Sequence, residues 1–262
     1  MSLRRIFAIF RNDVSILRQD YSPLVVLIVM PLAIIAFAAP LYQHLLVDGQ
    51  AGRQVSGQAT GAELAIPGLA VMFAFFLVNA VGFSFFREFG WGTWDRLRVS
   101  PARSWEIVAG KMMAPLCLAI IQQTALFGLG GLLFSLRIQG SVLALIPVAF
   151  AVSLCALSLG IAAVAVCRTV QQISSFSYVS MIVLGGLGGA LTPVALLPSW
   201  VQWLAPAAPS FWAIHAYRTV ILEGGGLADV ASDTLMLLGL SSILLVGAGF
   251  RFHLDERKRG WA

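Results

Sequence analysis

Six stretches free of Asp, Glu, Lys and Arg, fenced by isolated charges, dictate what this chain can become: 21–47, 64–86, 112–136, 138–167, 169–217 and 234–250. A bilayer-crossing helix needs about 20 consecutive apolar residues, and five of these windows hold one each. Only 11% of the residues are charged and 59% are hydrophobic. Soluble domains carry about 25% charged residues, so the solvent for this chain is lipid.

The 169–217 window is long enough for two spans. Pro193, Pro198, Pro206 and Pro209 cut its second half into pieces too short to cross about 30 Å of hydrocarbon at about 1.5 Å per residue. Charge placement agrees with a single span there. With both termini and the 87–111 and 167–173 loops in the cytoplasm, 14 of the 17 basic residues lie inside and only Arg53, Arg137 and Arg218 outside, as short loops require. A seventh span would send Arg257, Lys258 and Arg259 outside. The expectation is an all-α polytopic membrane protein with six transmembrane helices and both ends cytoplasmic, forming one domain over 1–262. The net charge of +5 then reflects orientation and attraction to anionic lipids, with no nucleic-acid partner implied. Cys117, Cys155 and Cys167 and the scattered His44, His215 and His253 have neither disulfide nor metal spacing.

Residues 1–21 lack a clean signal-peptide core, since Arg11, Asp13, Arg18 and Asp20 interrupt them. Leu3, Phe7, Phe10, Val14 and Leu17 trace one helical face, and Arg4, Arg11 and Arg18 recur every seventh residue on another. That pattern describes an amphipathic helix lying in the membrane plane. Spans are expected near 22–46, with a kink or frayed end at Pro31 and Pro40, then 64–86, 112–135, 142–166, 174–192 and 231–252. Residues 48–62 read as a flexible external loop. In 193–223, Pro198 begins a short helix that Pro206 and Pro209 end, a second helix covers 210–222, and Gly224–Gly226 form a hinge. With Trp200 and Trp203 at headgroup depth, this segment reads as re-entrant from the outer side. Arg218 and Glu223 are candidates for an interfacial pair there.

The largest charged feature is the island 87–111, with eight of the 29 charged residues. Thr93 is expected to cap a short helix over 94–98, with Asp95 in its first turn. Pro101 is expected at the first position of the helix running into the third span. No ATP-binding loop exists at Gly110-Lys111, which is followed by Met112 and has Trp105 where the first glycine belongs. No catalytic residue, bound cofactor or metal is expected. Within the spans, Asn79, Gln122, Gln123 and Tyr178 are candidates for a substrate pathway, as are Gly185 and Gly189, whose spacing also suits close helix packing.

The ordered run Arg87-Glu88, Gly92-Thr93-Trp94-Asp95-Arg96-Leu97, Ser100-Pro101 and Gly110-Lys111 resembles the loop of ABC-2 type permeases. Leu197-Pro198-Ser199-Trp200, Pro209, Tyr217-Arg218 and Gly224 similarly resemble the C-terminal signature of daunorubicin-exporter-like members. Phe89-Gly90-Trp91 departs from the family, which more often has charged residues there. The resemblance implies a membrane subunit of an ATP-driven exporter in a bacterial cytoplasmic membrane. It implies two copies of a separate ATPase subunit carrying ATP and magnesium, and a second permease, either a copy or a paralogue. Residues Glu88, Gly92, Thr93, Trp94, Asp95, Arg96, Leu97 and Arg98 would then form the ATPase-coupling contact, and 1–21 the connecting helix. The cargo would be an amphipathic drug, natural product, lipid or lipid-linked glycan moved outward between the first, second and fifth membrane helices of the two permeases. A different class, a non-transporting lipid-modifying or scaffold module, would instead depend on the outer face near 200–218.

Overall fold

The computed structural model of the protein describes residues 2–44 and 60–251. The ten α-helices of that part are α1 (Ser2–Leu17), α2 (Ser22–Tyr42), α3 (Gly61–Gly90), α4 (Trp94–Arg98), α5 (Ser104–Phe134), α6 (Val142–Val166), α7 (Val170–Leu187), α8 (Ser199–Leu204), α9 (Pro209–Ile221) and α10 (Ala231–Arg251). Six of them, α2, α3, α5, α6, α7 and α10, are long and apolar enough to cross a membrane. Most of the expected 48–62 loop, with Arg53, and the Arg257–Arg259 tail lie outside the described residues.

Helix α3 is the axis of the bundle. It is buried along nearly its whole length, with Phe73, Phe75, Phe85 and Phe86 sealed from solvent, and α2, α5, α6, α7 and α9 pack around it. Helix α10 lies against α6 and α9, and α1 lies on α5. The outer faces carry exposed apolar residues such as Phe37, Leu132 and Phe250, which is the expected surface where hydrocarbon is the solvent.

Three spans, α3, α5 and α10, extend beyond their uncharged windows, because fencing charges are satisfied inside the helices; in α10 Asp233 lies 2.7 Å from His215 Nδ1. Helix α3 begins at 61 instead of 64: the Thr60 hydroxyl accepts from the Glu63 amide at 3.3 Å, and the Glu63 carboxylate accepts from the Thr60 amide at 2.9 Å. This reciprocal cap makes Glu63 the start of the helix. Helix α5 begins at Ser104, so Pro101 lies ahead of it, contrary to expectation. The Glu106 carboxylate accepts the Arg103 amide at 2.8 Å and sets the first turn three residues later.

Helix α7 also shifts, from the expected 174–192 to 170–187. The Thr169 hydroxyl caps it by accepting the Gln172 amide at 3.2 Å. It ends where Gly189 takes a φ of +84°, a left-handed conformation that glycine adopts without steric cost. Helix α6 matches its expected bounds.

Residues 194–221 comprise a 3-10 turn (Val194–Leu196), α8, a second turn (Ala205–Ala207) and α9. Pro209 opens α9 where it was expected to end α8, since its fixed φ suits a first helical position. Gly224–Gly226 form a fastened junction in place of the expected hinge. Gln139, Gly140 and Ser141 donate their amides to Ile221, Val220 and Gly225 at 3.2, 2.9 and 3.3 Å, and Gly224 supplies the positive φ of +73°.

Candidate functional site

The island between α3 and α5 folds as a crossbar. After α3 ends, Gly92 turns the chain at φ +65° and α4 runs five residues. Thr93 does not cap α4; it has helical dihedrals and no capping bond. Its hydroxyl instead donates to the Glu88 carboxylate, and its amide donates to the Glu88 carbonyl at 3.0 Å. Trp94, 7% exposed, is sunk against Phe89 and Phe85, with ring centroids 4.5 and 6.3 Å away. Asp95 and Arg96 remain on the outer surface, beside exposed Trp91 and Val99. Leu97 is half-buried, and the Arg98 side chain lies outside the described part.

Beneath the crossbar sits a buried ionic clasp joining three helices. Lys111 of α5 donates to Glu88 of α3 at 2.6 Å and to Asp13 of α1 at 2.9 Å. Arg87 donates to the same Asp13 oxygen at 3.0 Å and lies 5.3 Å from the Trp91 ring. The Lys111 side chain is 1% exposed. Breaking such a pair by removing one partner costs about 3–5 kcal/mol, because an uncompensated charge stays buried. Burial lifts the Asp13 carboxyl above the ordinary aspartate range, while Lys111 and Arg87 pull it back. A second clamp holds the N-terminal half of α1, where Arg5 pairs with Glu106 at 3.4 Å and donates to the Pro101 carbonyl. Gly110 permits the close approach of α1, since a Cβ there would come within 2.8 Å of the Ile9 Cβ.

Glu88 was expected as a surface contact; it is buried and holds the clasp. Asp13 was read as a break in residues 1–21, and Arg87 and Lys111 as orientation charges and members of the loop motif, none of them as a partner of another. The repeated approach of opposite charges in the folded chain is invisible to periodicity, although the pairing of Glu88 with a lysine closing the island was a usable hint.

The pathway candidates divide. Asn79 and Tyr178 line a cavity of about 640 Å³ between α1, α2, α3, α5 and α7. Asn79 accepts from the Ser174 hydroxyl at 3.2 Å, and the Tyr178 ring lies 5.6 Å from Phe76. Gln122 and Gln123 face the bundle interior. Gln122 donates to the Ala70 carbonyl at 3.1 Å, and Gln123 accepts from the Tyr217 hydroxyl at 3.4 Å. Gly185 packs on Met72, where a Cβ would come within 3.0 Å. Gly189 lies beyond the end of α7, so the two glycines share no helical face. On the opposite side, Pro198, Trp200 and Trp203 are exposed, Pro209 is half-buried and Glu223 is exposed. Partly buried Arg218 leaves its Nε without a hydrogen bond, and no ion pair joins it to Glu223 among the described residues.

Comparison with known proteins adds a family. Residues 4–222 match the family model described as ABC-2 type transporter. The chain is 30% identical over 123 residues to the probable multidrug ABC transporter permease YbhR of Escherichia coli, covering 46% of this chain and 33% of that protein. It is 28% identical over 165 residues to ABC transporter G family member 20 of Dictyostelium discoideum, covering 62% and 22%. Over 210 residues it is 24% identical to the linearmycin resistance permease protein LnrN of Bacillus subtilis, covering 80% and 51%. The chain thus spans about half or less of the length of these relatives. Six membrane-length helices, a crossbar between the second and third, and a family match over residues 4–222 lead to one assignment: this chain belongs to the ABC-2 type transporter family.

Proposed function

We propose that this chain is the membrane permease of an ATP-driven exporter, powered by a separate ATPase subunit that seats on α4. Two ATPase copies would act on two permeases, either two copies of this chain or one and a paralogue, in a bacterial cytoplasmic membrane with both termini inside. The observation that supports this most is the fastening of a short surface helix to three others. Trp94 is wedged against α3, Thr93 is bonded to Glu88, and Glu88 shares Lys111 with Asp13. A push on the exposed Asp95–Arg96 edge therefore cannot be absorbed by a loose loop. It passes to α3, α5 and α1 together, and displacement of packed helices between discrete arrangements is how such motions propagate.

The apolar cavity with Asn79 and Tyr178 supports an amphipathic cargo, as do relatives named for multidrug transport and linearmycin resistance. Outward movement would proceed between α2, α3 and α7 of facing permeases, past residues 193–223 dipping into the outer leaflet. ATP and magnesium would be bound by the partner, which leaves this chain without a catalytic role.

The test is extraction of the chain from native membranes in mild detergent. The reading expects an ATPase subunit to follow it, and Arg96→Glu to abolish that association while preserving the yield of folded permease. A chain that purifies alone, with transport indifferent to Arg96→Glu, defeats it.

A further inference from the structure

Arg218 of α9 is a cation that the fold draws into the protein without an anion to meet it. Arg87 and Lys111 are drawn in as well, and each meets a carboxylate. Arg218 is partly buried and its Nε is sealed without an acceptor. Among the described residues no carboxylate pairs with its guanidinium.

The described carboxylates at that end of the bundle are committed elsewhere. Glu63 accepts the Thr60 amide at 2.9 Å, Asp233 lies 2.7 Å from His215 Nδ1, and Asp229 accepts the Gly226 amide at 2.7 Å. Glu223 is exposed and forms no ion pair with Arg218. Taking a guanidinium out of water without pairing it is costly. Because this side chain is only partly covered, an anion arriving from outside the protein can reach it.

The surroundings decide which anion fits. Arg218 sits at the end of the bundle opposite the crossbar, one turn before the Val220 and Ile221 carbonyls that receive the Gly140 and Gln139 amides. Tyr42, at the end of α2, is close enough to interact with it electrostatically. The Tyr42 hydroxyl donates to the Leu191 carbonyl at 2.5 Å, which joins the end of α2 to the chain beyond α7. On those same two segments Phe37, Leu41 and Leu191 are exposed. A planar guanidinium matches phosphate oxygens with paired N–H donors, and the apolar residues beside it suit acyl chains. Soluble phosphate would leave that apolar surface unused, and a zwitterionic headgroup carries its own ammonium to compete with Arg218.

We propose that Arg218 holds the phosphate of an anionic phospholipid at the end of the bundle opposite the crossbar, with the acyl chains along Phe37, Leu41 and Leu191. This lipid is a resident ligand, separate from any cargo in the cavity beside the clasp. The site is built by this chain alone and does not depend on the exporter reading.

The experiment incubates the purified chain in detergent with phosphatidylglycerol or phosphatidylcholine, each carrying a photoreactive diazirine at the top of one acyl chain. Labelled residues are mapped by mass spectrometry, in the unaltered chain and in Arg218→Met. Phosphatidylglycerol is expected to label 37–42 and 189–192 at least about fivefold more than phosphatidylcholine does. Arg218→Met should lower that labelling at least about fivefold while labelling of α1, where Arg4, Arg11 and Arg18 attract any anionic lipid, stays unchanged. The variant should melt at or above the temperature of the unaltered chain, since it removes an unpaired charge, so lost labelling does not reflect unfolding. Equal labelling by the two lipids, or a variant labelled as strongly as the unaltered chain, overturns the proposal. Labelling abolished by excess inorganic phosphate overturns it too, because the site then takes a free anion. A variant that melts lower also contradicts it, by showing that Arg218 is already satisfied within the protein.

Discussion

Lys111 and Asp13, 98 residues apart in the chain, meet at 2.9 Å in the sealed junction where α5 crosses α1. Lys111 is also 2.6 Å from Glu88, the residue to which Thr93 is bonded. One ammonium group therefore ties α1, the central span and the crossbar together.

Replacing that ammonium alone strands the buried Glu88 carboxylate and leaves Asp13 with Arg87 as its one cation among the described residues. Lys111→Met is expected to lower stability by about 3–5 kcal/mol, read as a fall in the melting temperature of the purified chain. Adding Glu88→Gln removes the stranded charge, leaves Asp13 paired with Arg87, and should restore most of the loss, since neutral replacement of a buried pair is often tolerated. A double variant no more stable than Lys111→Met contradicts the clasp.

Trp94 is expected to hold α4 in place through packing. Trp94→Ala removes a ring 7% exposed and costs about 3–5 kcal/mol locally. Amide exchange over 93–99 should accelerate while the interior of α6 stays protected.

Gly110→Ala places a methyl group against Ile9. Overpacking at such a contact costs about 1–3 kcal/mol, and protease cleavage within α1 should become faster as the helix lifts. Cleavage at the unchanged rate means that α1 does not depend on this approach.

Arg96 is exposed and takes part in none of these contacts. Arg96→Glu should change stability by less than about 0.5 kcal/mol while eliminating copurification of the ATPase.

The six spans were legible because hydrocarbon tolerates so few charges that their positions outline the helices. Helix α6, whose fencing charges Arg137 and Arg168 both lie outside it, was read to both bounds. The charged ends were misread for one reason. Glu63, Arg87, Glu88 and Lys111 were treated as limits of the spans, yet each lies inside a helix because a cap or the clasp satisfies it. The α1 stripes were readable from spacing, and Arg4, Arg11 and Arg18 are indeed exposed. That Asp13 is the buried residue of that helix was not readable, because its partners lie 74 and 98 residues away. Thr93 carried the residue type of a cap, but the nearby Glu88 carboxylate competes for its hydroxyl. The cavity was only partly foreseen. Asn79 and Tyr178 were selected for polarity within spans, whereas Asp20 and Phe83 join them only once α1 and α2 fold over α3.

The central claim is that the crossbar faces the cytoplasm, where an ATPase can grip it. Val99, 80% exposed at its end, is the place to ask. A Val99→Cys variant of an otherwise cysteine-free chain is treated with a membrane-impermeant maleimide, in intact cells and in inverted vesicles. The account predicts labelling in inverted vesicles and protection in intact cells; labelling in intact cells contradicts it.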